Sequence, residues 1–154
     1  MKRVFLVLII LLAPVVMAGQ FPDQNQNSVF VGWQVGEDEK IGDFRISYPA
    51  LSDGEETEMA QDGPFAVVVF YGDAGEDNEQ YEWFQDATSA WGYITLVVED
   101  GTNFEAVEYI LQGWDNGSVN TVPGGQGMFA LNHIALGGHG TGAHYAAEVV
   151  KSTE

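Results

Sequence analysis

The chain has no cysteine and very little positive charge. Of its 154 residues only five are Lys or Arg, against 23 Asp or Glu, giving a formal net charge of −18. Without thiols there is no disulfide framework, no thiolate nucleophile and no cysteine-ligated metal centre. So acidic a surface repels phosphates and anionic lipid, which excludes nucleic acid as a partner. No Gly-Lys-Ser or Gly-Lys-Thr occurs, so a phosphate-binding P-loop is excluded too. No internal repeat is present.

Long hydrophobic runs are also scarce. The one extended run, Val4 to Val16, is interrupted by Pro14, follows Lys2-Arg3, and leads to Val16-Met17-Ala18 before Gly19. A membrane span needs roughly twenty apolar residues. This shorter run, with a basic start and small residues at its end, reads as an export signal over 1–18. The expectation is a secreted or extracytoplasmic protein with no stable membrane anchor. Cleavage removes Lys2 and Arg3 and leaves Lys40, Arg45 and Lys151 as the basic residues. Residues 19–28 are rich in Gln and Asn and read as a flexible lead. Residues 29–154 then form one domain.

Within that domain, Val29–Val35 and Phe44–Tyr48 alternate apolar and polar residues, which predicts an antiparallel hairpin with an edge strand. Pro49 should end it, and the acidic stretch 52–63 should be a solvated loop. Phe65–Tyr71 and Ile94–Val98 are apolar without alternation, the pattern of strands buried on both faces of a parallel sheet. Asp77 with Gln80, and Thr102 with Glu105, have the spacing of helix capping boxes. Tyr81, Phe84, Thr88 and Trp91 make one helical stripe, with Trp83 and Ala87 beside it. Phe104, Val107, Leu111 and Trp114 make another, stopped by Asn116-Gly117. A glycine-bearing connection over 118–131 leads to a strand at His133. The helix after Thr141 should face inward with Ala143, Ala146, Ala147 and Val150. The order β-β-β-α-β-α-β-α predicts an α/β three-layer sandwich: a mostly parallel sheet with an N-terminal antiparallel hairpin.

Between the last strand and helix lies Gly138-His139-Gly140-Thr141-Gly142. It has the frame of the G-x-S-x-G elbow, in which a nucleophilic serine sits on a sharp strand-to-helix corner. Glycine stands where the serine should be. Thr141 is no substitute, because it falls at the start of the helix. Gly138-x-Gly140-x-x-Ala143 also matches a dinucleotide fingerprint, but no further strand with an acidic residue follows and no cation stands nearby. His133, His139 and His144 are spaced six and five apart, which fits no zinc motif. Asp73, Glu76, Asp77 and Glu79 lack the spacing of a calcium loop and read as a solvated acidic loop. No metal or cofactor is expected. Trp33, Trp83, Trp91 and Trp114 fall on amphipathic stretches and read as core.

Taken together, the order of elements and these turns resemble the α/β-hydrolase family, in particular its dienelactone-hydrolase, chlorophyllase and cutinase-like polyester-hydrolase branch. Gly63-Pro64 through Tyr71-Gly72 is similar to the family's third strand. Trp91-Gly92 through Glu99-Asp100 is similar to its fourth, and Gly101-Thr102-Asn103 to the Asp-Thr-Asn that often follows. His133 to Gly142 is similar to the fifth strand and elbow. The likeness covers residues 41–151, about the first half of a family domain. It implies Gly140 at the nucleophile position, and an oxyanion hole from the backbone N–H groups of Asp73 and Thr141. Tyr71, Gly72, Gly138, His139 and Gly142 would surround a groove for a small ester or lipid-like ligand. The acid and histidine that the family takes from beyond the elbow helix have no counterpart. The implied function is a catalytically inactive, hydrolase-like binding protein. The alternatives are a carboxylic-ester hydrolase recorded as a truncated chain, or a homodimer joined through open sheet edges.

Overall fold

The structure is a computed structural model that describes residues 25–35, 39–52, 56–119 and 122–152. The export signal, residues 19–24 of the lead and residues 36–38 lie outside the described residues, as does the side chain of Trp33. Five strands and three helices follow in the expected order. They are β1 (Asn25–Val35), β2 (Glu39–Ala50), β3 (Phe65–Tyr71), α1 (Glu82–Ala90, entered through a 3-10 turn at Asn78–Tyr81), β4 (Ile94–Val98), α2 (Phe104–Asn116), β5 (Phe129–Gly138) and α3 (Thr141–Ser152). The sheet order is β1-β2-β4-β3-β5. β1 and β2 are antiparallel. β2 joins β4 antiparallel through only Arg45–Val97, Ile46–Leu96 and Ser47–Thr95, and β3 is parallel to both β4 and β5. This is the three-layer α/β arrangement that the sequence predicts.

Side-chain parity assigns the faces. Phe44, Ile46 and Tyr48 of β2, Val67, Val69 and Tyr71 of β3, and Leu96 and Val98 of β4 form one buried cluster with Val107, Ile110, Leu111 and Trp114 of α2 and Ala146 of α3. The Trp114 ring meets Phe44 edge-on at 5.5 Å and stacks on Phe129 at 5.9 Å. The opposite parity faces α1 and mixes polar Arg45, Ser47 and Thr95 with apolar Ala66, Val68, Phe70 and Val97. Ser89 Oγ donates to Ser47 Oγ at 2.8 Å. Gln85 Nε2 donates to the carbonyls of Arg45 (2.9 Å) and Thr95 (3.3 Å), and the Thr88 and Thr95 hydroxyls meet at 2.5 Å. Arg45 adds an ion pair with Glu82 at 2.5 Å. The amide N–H of fully buried Gln85 and the hydroxyl of Ser89 are tolerated because these partners replace the water they lose, while Gln85 Oε1 is buried without a hydrogen bond among the described residues.

Several expectations need correction. Residues 25–28, read as flexible lead, are the start of β1, with Asn25 opposite Ala50. Backbone pairing along a hairpin needs no apolar side chain, so composition hides it. Pro49 does not end β2; it pairs with Gln26. The 52–63 loop is anchored by buried Met59, whose N–H donates to Pro123 O at 2.9 Å. β3 alternates buried and half-buried residues instead of being buried on both faces, because Ala66, Val68 and Phe70 lie on the thinly covered side. The second cap is Asn103, one residue later than expected, accepting from Glu105 N at 2.9 Å. Asp77 does cap the 3-10 turn, but Gln80 turns to Glu76. The buried face of α3 is Gly142, Ala146 and Val149. Ala143, Ala147 and Val150 point outward. Trp83 and Trp91 are each 70% exposed, so of the tryptophans described only Trp114 is core.

β5 lies at the edge of the sheet, and its outer side has no strand partner among the described residues. Its pairing with β3 skips from Ala66–Ala130 to Val67–Ile134, so Leu131, Asn132 and His133 form a bulge. No described helix is long and apolar enough to cross a membrane.

Candidate active site

Parallel pairing of β3 with β5 sets the site. Tyr71 lies opposite Gly138, so the two strands end side by side and release their loops at the same edge. His139 N–H donates to Tyr71 O at 3.0 Å, which holds the second loop against the first. The chain then turns directly into α3, whose first bonds run from Gly142 N–H and Ala143 N–H to His139 O. At Gly142 a Cβ would collide with the carbonyl oxygens of Tyr71 and Gly72. That close approach makes glycine necessary at the helix start. It also fixes the rotation of α3, which is why the buried face runs 142, 146, 149.

Gly140 sits at the tip of the corner with φ +54°, the left-handed conformation expected of an elbow. A Cβ there would fall inside the carboxylate of Asp73. The Asp73 side chain therefore occupies the space in which a side chain at position 140 would begin. Asp73 Oδ1 accepts from Thr141 N–H (2.8 Å), from the Thr141 hydroxyl (2.8 Å) and from Ala74 N–H (3.0 Å). The Thr141 oxygen in turn accepts from Ala74 N–H at 2.9 Å. Asp73 thus caps α3 from another loop, with its negative charge at the positive end of the helix. The Thr141 N–H, then the Thr141 hydroxyl, then Ala74 N–H and the nearby His139 hold its carboxyl below the usual carboxylate range.

The two N–H groups singled out from the sequence as an oxyanion hole are both engaged. Thr141 N–H is taken by the Asp73 carboxylate. Asp73 N–H donates to the Tyr81 hydroxyl at 2.8 Å. Tyr81 is a site residue that sequence reasoning missed. It stands at the end of the 3-10 turn, its ring lies 5.1 Å from Phe70, and its hydroxyl reaches His139 Nδ1 at 3.3 Å. Its place in the aromatic stripe was visible, but nothing in the pattern showed that its hydroxyl would serve the next loop.

The other expected groove residues are mostly packed. Tyr71 is fully buried, with its ring 5.0 Å from Tyr145, and Gly72 and Gly142 are buried in the corner. Gly138 is half-buried, and His139 is exposed. Burial pushes the Tyr71 hydroxyl above its ordinary range, with Tyr145 adding to the shift. The three histidines do not converge: His133 contacts Asn132 at 3.0 Å, and exposed His144 pairs with Glu148 at 3.2 Å. Among the described residues no group of three His, Asp or Glu side chains could hold a metal ion. The anion position that a dinucleotide would use at the start of α3 is filled by Asp73.

No protein-family model and no curated protein matches the sequence. Solved structures do match in fold. A ferulic acid esterase from Streptomyces cinnamoneus superposes with a TM-score of 0.60 at 11% identity, over 86% of this chain and 57% of that one. A mutant of esterase rPPE superposes with a TM-score of 0.51 at 14% identity, over 90% of this chain and 44% of that one. The chain thus spans about half the length of the esterase structures it matches. At these identities the likeness shows the fold alone, and that fold is a partial α/β-hydrolase-like sandwich.

Proposed function

We propose that this chain is a secreted α/β-hydrolase-like domain of the dienelactone-hydrolase or polyester-hydrolase kind that binds and does not catalyse. One observation carries the reading: the Asp73 carboxylate occupies both the Thr141 N–H and the space beside Gly140. Acyl transfer needs a nucleophile and preorganised donors aimed at the oxyanion that develops. At this corner the nucleophile position has no side chain, and the donor already serves a negative charge. A substrate oxyanion would have to displace that carboxylate or form against it. A small ester or lipid-like molecule beside exposed His139 is the ligand class suggested by the esterase neighbours. The test is turnover of p-nitrophenyl acetate and butyrate by the purified chain beside a heat-unfolded sample. Equal rates are expected, and turnover that requires the folded chain refutes the reading.

The open outer side of β5 favours a second reading, in which this chain is part of a longer carboxylic-ester hydrolase whose further strands cover that edge. Parallel sheets are normally covered, and an unpaired edge invites another strand. Reading the genomic sequence past Glu154 decides it: an immediate stop codon rules it out. A second copy pairing along β5 would cover the same edge, and light scattering that finds only monomer rules that out.

A further inference from the structure

Helix α1 leaves an apolar stripe in solvent. Its inward face carries fully buried Gln85 and Ser89 beside Phe84, whose ring lies 4.8 Å from Phe70, while its outward face carries Trp83, Ala87 and Ala90, continued by Trp91 just past its end. These four positions have the i, i+4, i+7, i+8 spacing of a single helical stripe, normally the stripe that faces a core. Here it faces solvent, and both tryptophans are 70% exposed. They lie about 12 Å apart along the helix axis, given 1.5 Å of rise per residue. Contiguous exposed apolar surface of this kind marks an interaction site.

Charge says what fits it. Exposed Glu76, Asp77 and Glu79 precede the stripe, and Glu82, 57% exposed at its side chain, lies beside it in a position fixed by its ion pair with Arg45. No Lys or Arg occurs between Arg45 and Lys151. Tryptophan is the aromatic ring best suited to cation–π contact, and carboxylates along the same helix would hold the same cations. An anionic membrane is repelled by this surface.

We propose that the outer face of α1 docks a basic amphipathic polypeptide helix, whose Lys or Arg side chains lie over Trp83 and Trp91 while its apolar residues cover Ala87 and Ala90. This uses the solvent side of α1, opposite the side that meets the sheet through Ser47 and Thr95.

The test is fluorescence anisotropy of a labelled Lys/Leu amphipathic peptide titrated with the purified chain. Each exposed cation–π contact is worth about two- to fivefold in affinity, so Trp83→Ala/Trp91→Ala should weaken binding by about 4- to 25-fold without changing net charge. Tyr109→Ala removes a ring that is 56% exposed on α2, across the sheet, and should leave affinity unchanged. Circular dichroism checks that each variant keeps its fold. Equal affinity of parent and double variant would overturn the proposal, because net charge alone would then hold the peptide. A peptide with Gln in place of Lys binding as tightly would also overturn it, because the surface would not be reading cations.

Discussion

Gly140→Ser would place a side chain at the tip of the corner, and the structure predicts that it is destabilising on its own. At φ +54° an L side chain adopts the left-handed region, which costs about 1–2 kcal/mol. Its Cβ must also displace the Asp73 carboxylate, which three hydrogen bonds hold in place. Overpacking of this kind costs about 1–3 kcal/mol, so the single variant should lose about 2–5 kcal/mol. Asp73→Ala removes the obstruction and, separately, the cap of α3, so it destabilises as well. In the double variant the overpacking cost disappears, and it should be more stable than the sum of the two single losses by about 1–3 kcal/mol. Urea unfolding of all four proteins, followed by circular dichroism, measures this cycle. Additivity within about 0.5 kcal/mol would refute the argument, because it would mean that Asp73 and Gly140 do not share one space.

Asp73 also predicts a pH dependence. Its folded carboxyl is held below the ordinary range, so the native state binds fewer protons than the unfolded chain. The stability this contributes is present above the unfolded value of about 3.9 and is lost as pH falls through the folded value. The gap in melting temperature between parent and Asp73→Asn should therefore shrink under acid, and a constant gap would contradict the assignment. Gln85→Leu removes the donor shared by Arg45 O and Thr95 O and should cost about 1–3 kcal/mol; a loss below about 0.5 kcal/mol would show that this bridge is dispensable. Trp114→Ala should cost about 3–5 kcal/mol and Trp91→Ala less than about 0.5 kcal/mol, since one ring is buried and the other exposed. Equal losses in urea unfolding would contradict that division.

The sequence made the frame legible where one property decides the outcome. Ile94–Val98 is apolar at every position but Thr95, and β4 is buried at every position. Asn116-Gly117 ends α2 because Gly117 takes φ +76°. Gly138-x-Gly140-x-Gly142 produced a tight corner because backbone approaches backbone there. What stayed hidden depends on which groups lie opposite. The stripe of α1 gave the right helix and part of its inner face: Tyr81, Phe84 and Thr88 turn toward the sheet, while Trp91 is exposed. Ser47 and Thr95 present hydroxyls there, and these are met by Ser89 and Thr88. The face of α3 was one residue out of phase, because the contact of Gly142 with Tyr71 and Gly72 sets its rotation rather than its alanines.

Gly140 and Asp73 show the same limit at the site itself. Read alone, glycine at the elbow tip is a loss: the corner survives and its hydroxyl is gone. Read alone, Asp73 is a surplus charge beside an oxyanion hole, where it would oppose catalysis unless it faced solvent. The structure resolves both through one contact. The carboxylate fits only because position 140 has no Cβ, and it is held because Thr141 N–H and the start of α3 favour an anion. The Thr141 N–H is used here as a clasp between the β3 loop and α3. Two residues far apart in the chain thus account for each other.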